Sequence, residues 1–262
     1  MKISTLYTLL VIFLYCNCSP SAVKKDSFGE PLRATEKILV DGMSFMRYRQ
    51  DFLKLAVNYH TFDTALHPIS KAAFLQAFAT GRYLPLRIAG NDSIISYKLY
   101  KLPASTSMDV ISAIWYYGQA ADSNFKREGE KFPVFSYADV NGTVYNNDSL
   151  KGKTVVVKCW FIHCVACVAE MPRLNELVAE YKDRKDVLFL SLAFDPKEKL
   201  INFLKGTRFL YNTIPVSESF ISEELRVRSY PTHFILKDGV IKKIPDGAED
   251  VADALHEQTP LK

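Results

Sequence analysis

From Phe132 to His256 the chain alternates between short apolar runs and stretches with helical spacing, and this alternation restricts its fold more than any other feature. Thr154-Val155-Val156-Val157-Lys158-Cys159-Trp160-Phe161 reads as a buried strand, followed by a helix over Val165 to Tyr181 and a second strand over Val187 to Phe194. A helix after Pro196, a short strand near Tyr211 and a helix near Glu223 continue the pattern. Thr232 to Leu236 and Val240 to Ile244 flank Lys237-Asp238-Gly239, a hairpin signal, and Glu249 to His256 reads as a closing helix. Ahead of them, Phe132 to Val140 and Thr143 to Tyr145 flank Asn141-Gly142, a strong two-residue turn. Strands alternating with helices predict an α/β unit over residues 132–262, with a central mixed sheet flanked by helices.

His163-Cys164-Val165-Ala166-Cys167 stands where the buried strand ends and the helix begins. Amide groups at a helix start favour negative charge, so Cys164 is expected to ionise more easily than a free thiol, whose pKa is ~8.5. Cys167 lies one helical turn further in, where it can close or open a disulfide with Cys164. Thiolate attack, a mixed disulfide and its resolution need this pair and little else. Other readings of the pair exist. A structural bridge over two residues closes almost no loop and stabilises little. Zinc needs a second ligand pair, and haem attachment needs His after the second cysteine, where Val168 stands. No metal site or cofactor is expected.

The stretch from Cys159 through Glu170-Met171-Pro172 resembles the active-site region of thioredoxin-fold proteins of the TlpA/ResA type, which are exported, membrane-tethered thiol-disulfide oxidoreductases. The likeness spans roughly residues 132–262 and includes Leu150-Lys151-Gly152-Lys153 and Tyr230-Pro231-Thr232. It implies that Pro231 is the cis-proline opposite the cysteines, in a loop (Tyr230, Pro231, Thr232) that holds substrate backbone. It also implies that Glu170 influences cysteine protonation, that Pro172 kinks the active-site helix, and that residues 196–215 form an inserted helix and strand. Many relatives carry Trp before the first cysteine and Pro before the second; here they are His163 and Ala166. An imidazolium at His163 would stabilise the Cys164 thiolate; an exposed ring would do nothing. Where thioredoxins carry a buried acid this chain has Lys158, which would favour a Cys167 thiolate, snorkel outward, or pair with an acid such as Glu170. Cys159 is expected to be a buried, inert hydrophobe, with a third redox thiol as the alternative.

The preceding residues 34–125 fall outside the likeness and read as a mostly helical α+β extension of unknown role. Phe45, Tyr48, Phe52, Leu55, Ala56 and Tyr59 predict a helix from about Ser44 to Tyr59 with a buried face. Ser70 and Gly81 punctuate a second helix, Ser93 to Leu102 reads as a strand, and Met108 to Gln119 as a third helix. His60 and His67 lack ligand-spaced partners. The charged run Phe125 to Lys131 is the expected boundary.

Met1 to Tyr15, with Lys2 and a ten-residue apolar run, reads as a signal peptide, too short for the ~20 residues of a membrane helix. Cys16 or Cys18, the latter favoured, then sits where a degenerate lipobox within residues 1–18 would be lipidated, and residues 19–33 read as a tether. The protein is therefore expected in the cell envelope or periplasm, lipid-anchored to a membrane. Hydrophobic residues make up 48% and charged residues 24%, which excludes a chain disordered throughout. A net charge of +4, dispersed along the chain, argues against nucleic acid. The expected function is thiol-disulfide exchange, as a reductase of exported protein disulfides fed by a membrane electron donor, with Cys164 as nucleophile and Cys167 resolving. The alternative is a copper chaperone using Cys164, Cys167 and a histidine such as His163 or His233.

Overall fold

The protein is described here by a computed structural model covering residues 28–261. The expected leader, Cys16, Cys18 and the first part of the tether lie outside the described residues. Residues 28–33, expected to continue that tether, instead run along a strand: Gly29 and Leu32 donate to the carbonyls of Ala89 and Arg87, each at 3.0 Å.

Residues 34–126 form an α+β region. In chain order it comprises α1 (Thr35–Ile38), α2 (Gly42–Phe52), β1 (Tyr59–Phe62), α3 (Lys71–Ala79), β2 (Tyr83–Ile88), β3 (Ile95–Lys101) and α4 (Met108–Lys126). Its three-stranded sheet has the order β1-β3-β2. The Ser70 hydroxyl caps α3 by accepting from the Ala73 amide at 3.2 Å, and Gly81 follows the helix with φ +69°. Asp41 caps α2 in the same way, through the Ser44 amide. The helix expected to reach Tyr59 stops at Phe52: Leu53 turns extended, Ala56 packs against the other half of the molecule, and Tyr59 starts β1. The stripe of apolar spacing thus joins residues that serve different surfaces. β2 is a strand the sequence does not announce, because Pro85 interrupts its apolar run and the strand pairs only with β3 among the named strands.

The second half holds β4 (Ser136–Ala138), β5 (Val144–Asn146), β6 (Thr154–Trp160), α5 (Val165–Ala169), α6 (Met171–Glu180), β7 (Val187–Ala193), α7 (Lys197–Gly206), β8 (Asn212–Pro215), β9 (Thr232–Lys237), β10 (Val240–Lys243) and α8 (Ala248–Gln258). The five-stranded sheet runs β10-β9-β6-β7-β8, with β6, β7 and β8 parallel, β9 antiparallel to β6 and β10 antiparallel to β9. β6 lies at its centre and is buried along its whole length, as an apolar run between two covered faces must be. Its side chains divide by alternation. Val155, Val157 and Cys159 enter one core with Phe220, Ile221 and Leu225, whereas Val156 faces Leu174, Leu177, Val251 and Leu255 of α6 and α8.

The charged run Phe125 to Lys131 is no free linker. Arg127 is buried, donates to the Leu225 carbonyl at 2.9 Å and lies 5.2 Å from the Phe234 ring centroid. The Gly129 amide donates to Ile241, the Ile241 amide to Glu130 and the Phe132 amide to Gly239, at 2.8 to 2.9 Å. Residues 129–132 therefore lie along the outer side of β10.

Candidate active site

Beyond Trp160 the chain leaves β6, and the Ile162 amide donates to the Asp195 carboxylate at 2.8 Å, fixing the approach to the cysteines from the end of β7. Sequence spacing offers no signal for Asp195, which lies 33 residues away. Cys164 then caps α5 and is joined to Cys167 by a disulfide, with Cα atoms 5.2 Å apart. The two sulfurs are not equivalent. Cys164 retains 8% exposure and Cys167 none. The Cys167 amide donates to the Cys164 sulfur at 3.2 Å, a contact that favours negative charge on that sulfur. His163 and Ala166 are exposed.

The expected single helix after the cysteines is broken in two. Glu170 ends α5 and starts α6, and Pro172 sits in the first turn of α6, where its missing N–H costs nothing. The break turns Glu170 inward beneath the cysteine-bearing turn.

Opposite stands the Tyr230–Pro231 loop, whose peptide bond is cis. The Tyr230 ring packs edge-on against Phe161 with centroids 5.4 Å apart, and against Phe194 at 5.7 Å. It also borders the cluster that contains Cys164, Cys167 and Trp160. The Thr232 hydroxyl donates within the loop, to the Ser229 carbonyl at 2.7 Å.

Under the active site lies a buried charge network. Lys158 is fully buried and forms an ion pair with Glu170, so its ammonium does not snorkel out. His233, also fully buried, bonds Glu170 Oε1 through Nε2 at 2.8 Å. The register of β6 against β9 pairs Lys158 with His233, which brings both to the same carboxylate. Burial pushes the Glu170 carboxyl up, but the hydrogen bond from His233 and the charge and hydrogen bond of Lys158 outweigh it and hold the carboxyl below its ordinary value. Burial lowers Lys158 despite Glu170, and lowers His233 against the same carboxylate. A neutral His233 donating from Nε2 leaves Nδ1 as a bare acceptor, and that atom is buried with no partner among the described residues. β9 is buried on both faces from His233 to Leu236, so only the cross-strand register reveals the partners of His233.

The His233 Nε2 is committed to Glu170. Among the described residues no group of three or more His, Cys, Asp and Glu side chains is placed to hold a metal ion. His60 and His67 pair instead with Asp92 and Asp63 at the surface. Cys159 sits on the opposite face of β6 from Lys158, and burial pushes its thiol up to about 12, which makes it a hydrophobe rather than a nucleophile.

The Redoxin family model matches residues 127–255. The thioredoxin-like protein YneN of Bacillus subtilis is 32% identical over 123 residues, covering 46% of this chain and 72% of that protein. The thiol-disulfide oxidoreductase ResA of Bacillus cereus is 33% identical over 132 residues, covering 49% of this chain and 76% of that protein. Among solved structures, the thioredoxin domain of a thiol-disulfide oxidoreductase from Bacteroides vulgatus superposes with a TM-score of 0.46 at 20% identity, covering 50% of this chain and 96% of that one. A cysteine pair at disulfide distance at the start of the helix that follows the central strand of a mixed sheet, together with the likeness to YneN and ResA, places the chain in the thioredoxin-fold thiol-disulfide oxidoreductase family of the TlpA/ResA type.

Proposed function

We propose that the protein reduces disulfides of exported proteins, with Cys164 as the attacking sulfur and Cys167 as the resolving one. The observation that carries this order is the asymmetry of the pair: Cys164 reaches the surface and accepts the Cys167 amide, while Cys167 is fully buried. In the reduced enzyme the Cys164 thiolate attacks one sulfur of a client disulfide. The S–S bond breaks, the client's other sulfur leaves as a thiolate and takes a proton, and a mixed disulfide remains. The Cys167 thiol loses its proton and attacks the Cys164 sulfur, which releases the second client thiol and leaves the enzyme disulfide. The client gains two electrons and two protons, and a thiol-reducing membrane donor returns the enzyme to its dithiol form by the reverse exchange.

The Tyr230, Pro231 and Thr232 loop would hold client backbone beside Cys164. Glu170, with Lys158, would set the protonation of the cysteines from below, and the exposed His163 would add positive charge beside Cys164 when protonated. The reducing direction, export and a lipid on Cys18 rest on the resemblance of the sequence to exported, tethered relatives. Among the described residues no helix is long and apolar enough to cross a membrane.

In Cys167→Ser the mixed disulfide cannot be resolved, so incubation of the reduced variant with oxidised insulin should accumulate an adduct through Cys164. Cys164→Ser should form none and lose insulin reduction. An adduct that survives loss of Cys164 would reverse the assignment. For direction, the reduction potential of the pair should lie below about −200 mV; a value near about −120 mV would mark an oxidant. Mass spectrometry of the mature amino terminus tests Cys18, and an unmodified terminus beyond it would refute the anchor.

A further inference from the structure

Residues 28–126 touch the thioredoxin-like half through a few polar joints and the packing of Ala56, and leave a cleft between the two halves. Lys54 bonds Asp250 at 2.9 Å, Arg49 pairs with Asp246, and the Asn58 amide donates to the Glu257 carboxylate. Inside these joints lies a cleft of about 870 Å³. One wall is α4, which presents Tyr116, Ala120 and Asn124 to it. These residues lie four apart, a single stripe extending ~12 Å along the helix. The facing wall includes Ala166, one of the two residues between the cysteines, and Tyr230 and Pro231 of the cis-proline loop. The cleft thus runs beside the turn that carries the redox pair, bounded there by Ala166 and Pro231 rather than by the cysteines themselves.

Space of this size is far from what a packed interior leaves, so the walls are held apart rather than failing to meet. Most charged groups along it have partners in the protein, Lys54 with Asp250, Arg49 with Asp246 and Arg173 with Glu249, while Asp51 has none among the described residues. Beside these paired charges the walls offer apolar and aromatic contact, and Tyr116 in the α4 wall stands 54% exposed. A small disulfide needs only the two sulfurs at Cys164. A cystine within a polypeptide brings chain on both sides of its sulfur, and the cleft is the volume that such chain must enter next to Pro231.

We infer that this cleft receives the extended polypeptide flanking the client's cystine, and that α4 of the amino-terminal region, outside the redox fold, selects polypeptide over small-molecule disulfides. The inference rests on the assignment of Cys164 as nucleophile. Ala120 is exposed in the cleft wall, so a bulky side chain there narrows the cleft without disturbing a core. With the full-length reduced protein, Ala120→Trp should slow insulin reduction at least tenfold and leave reduction of glutathione disulfide within twofold of the unaltered enzyme. Equal rates with insulin, or an equal loss with both substrates, would overturn the role of the cleft. A second readout does not depend on that variant: benzoylphenylalanine at position 120 of Cys167→Ser, illuminated after trapping with insulin, should crosslink to the insulin chain. An insulin adduct with no crosslink overturns the cleft while leaving Cys164 intact. No adduct and no reduction of either substrate by the unaltered enzyme would instead overturn the reading of the redox site.

Discussion

A neutral imidazole buried against a carboxylate makes stability depend on pH in a defined window. His233 has a folded pKa below its usual 6.5 because burial opposes its charge. As pH falls through 6.5 the unfolded chain takes up a proton that the native chain refuses, so stability declines, by up to ~1.4 kcal/mol per pH unit for one group. Glu170 acts in a lower window: its carboxyl is held below 4.5, so its contribution is complete above that value and is lost as pH drops beneath it. Urea midpoints between pH 7.5 and 5.5 should therefore fall for the unaltered protein and fall less for His233→Gln. Parallel slopes in the two proteins would show that His233 does not titrate this way. At this scale the sequence already carries Cys164 and Cys167, and it offers pairing with Glu170 as one of three fates for Lys158, the one the folded sheet adopts. It does not carry His233 as the third member, since the register that sets it opposite Lys158 follows from the folded sheet.

Elements are legible where their ends are chemically marked. Ser70 and Gly81 delimit α3, and Lys237-Asp238-Gly239 turns β9 into β10 with both Asp238 and Gly239 at positive φ. Unmarked ends mislead, as where α2 stops at Phe52 amid residues of unbroken helical spacing. Packing between elements is harder still to read. Gly118 lies inside α4, where alanine is ordinarily better by ~1 kcal/mol. Here a Cβ would stand 2.5 Å from the Phe78 carbonyl oxygen and 2.7 Å from its carbon, in the backbone of α3. Backbone cannot swing aside as a side-chain tip can, so the clash, worth ~1–3 kcal/mol or more, overrides the propensity. Gly118→Ala should destabilise the protein by roughly 2 kcal/mol in chemical denaturation. A rise in stability would mean that α3 and α4 separate freely.

For the molecule as a whole, the α/β class of the carboxyl-terminal half follows from strand and helix alternation alone, while the relation of the two halves does not. Ala56 illustrates the reason: it sits in the amino-terminal region by sequence and in the α6 and α8 cluster by packing. Arg127 illustrates it again, as a charge that reads as linker and serves as an anchor between Leu225 and Phe234. The strip from Gly129 to Phe132 has a further effect, on how copies of the molecule meet. By lying along β10 it occupies amide and carbonyl groups that would otherwise face outward. A sheet edge stripped of such cover is a template for pairing with another copy. A fragment beginning at Phe132, where the apolar pattern opens, should self-associate in light scattering, while one beginning at Arg127 should stay monomeric. The short charged segment between the halves is thus a guard against aggregation.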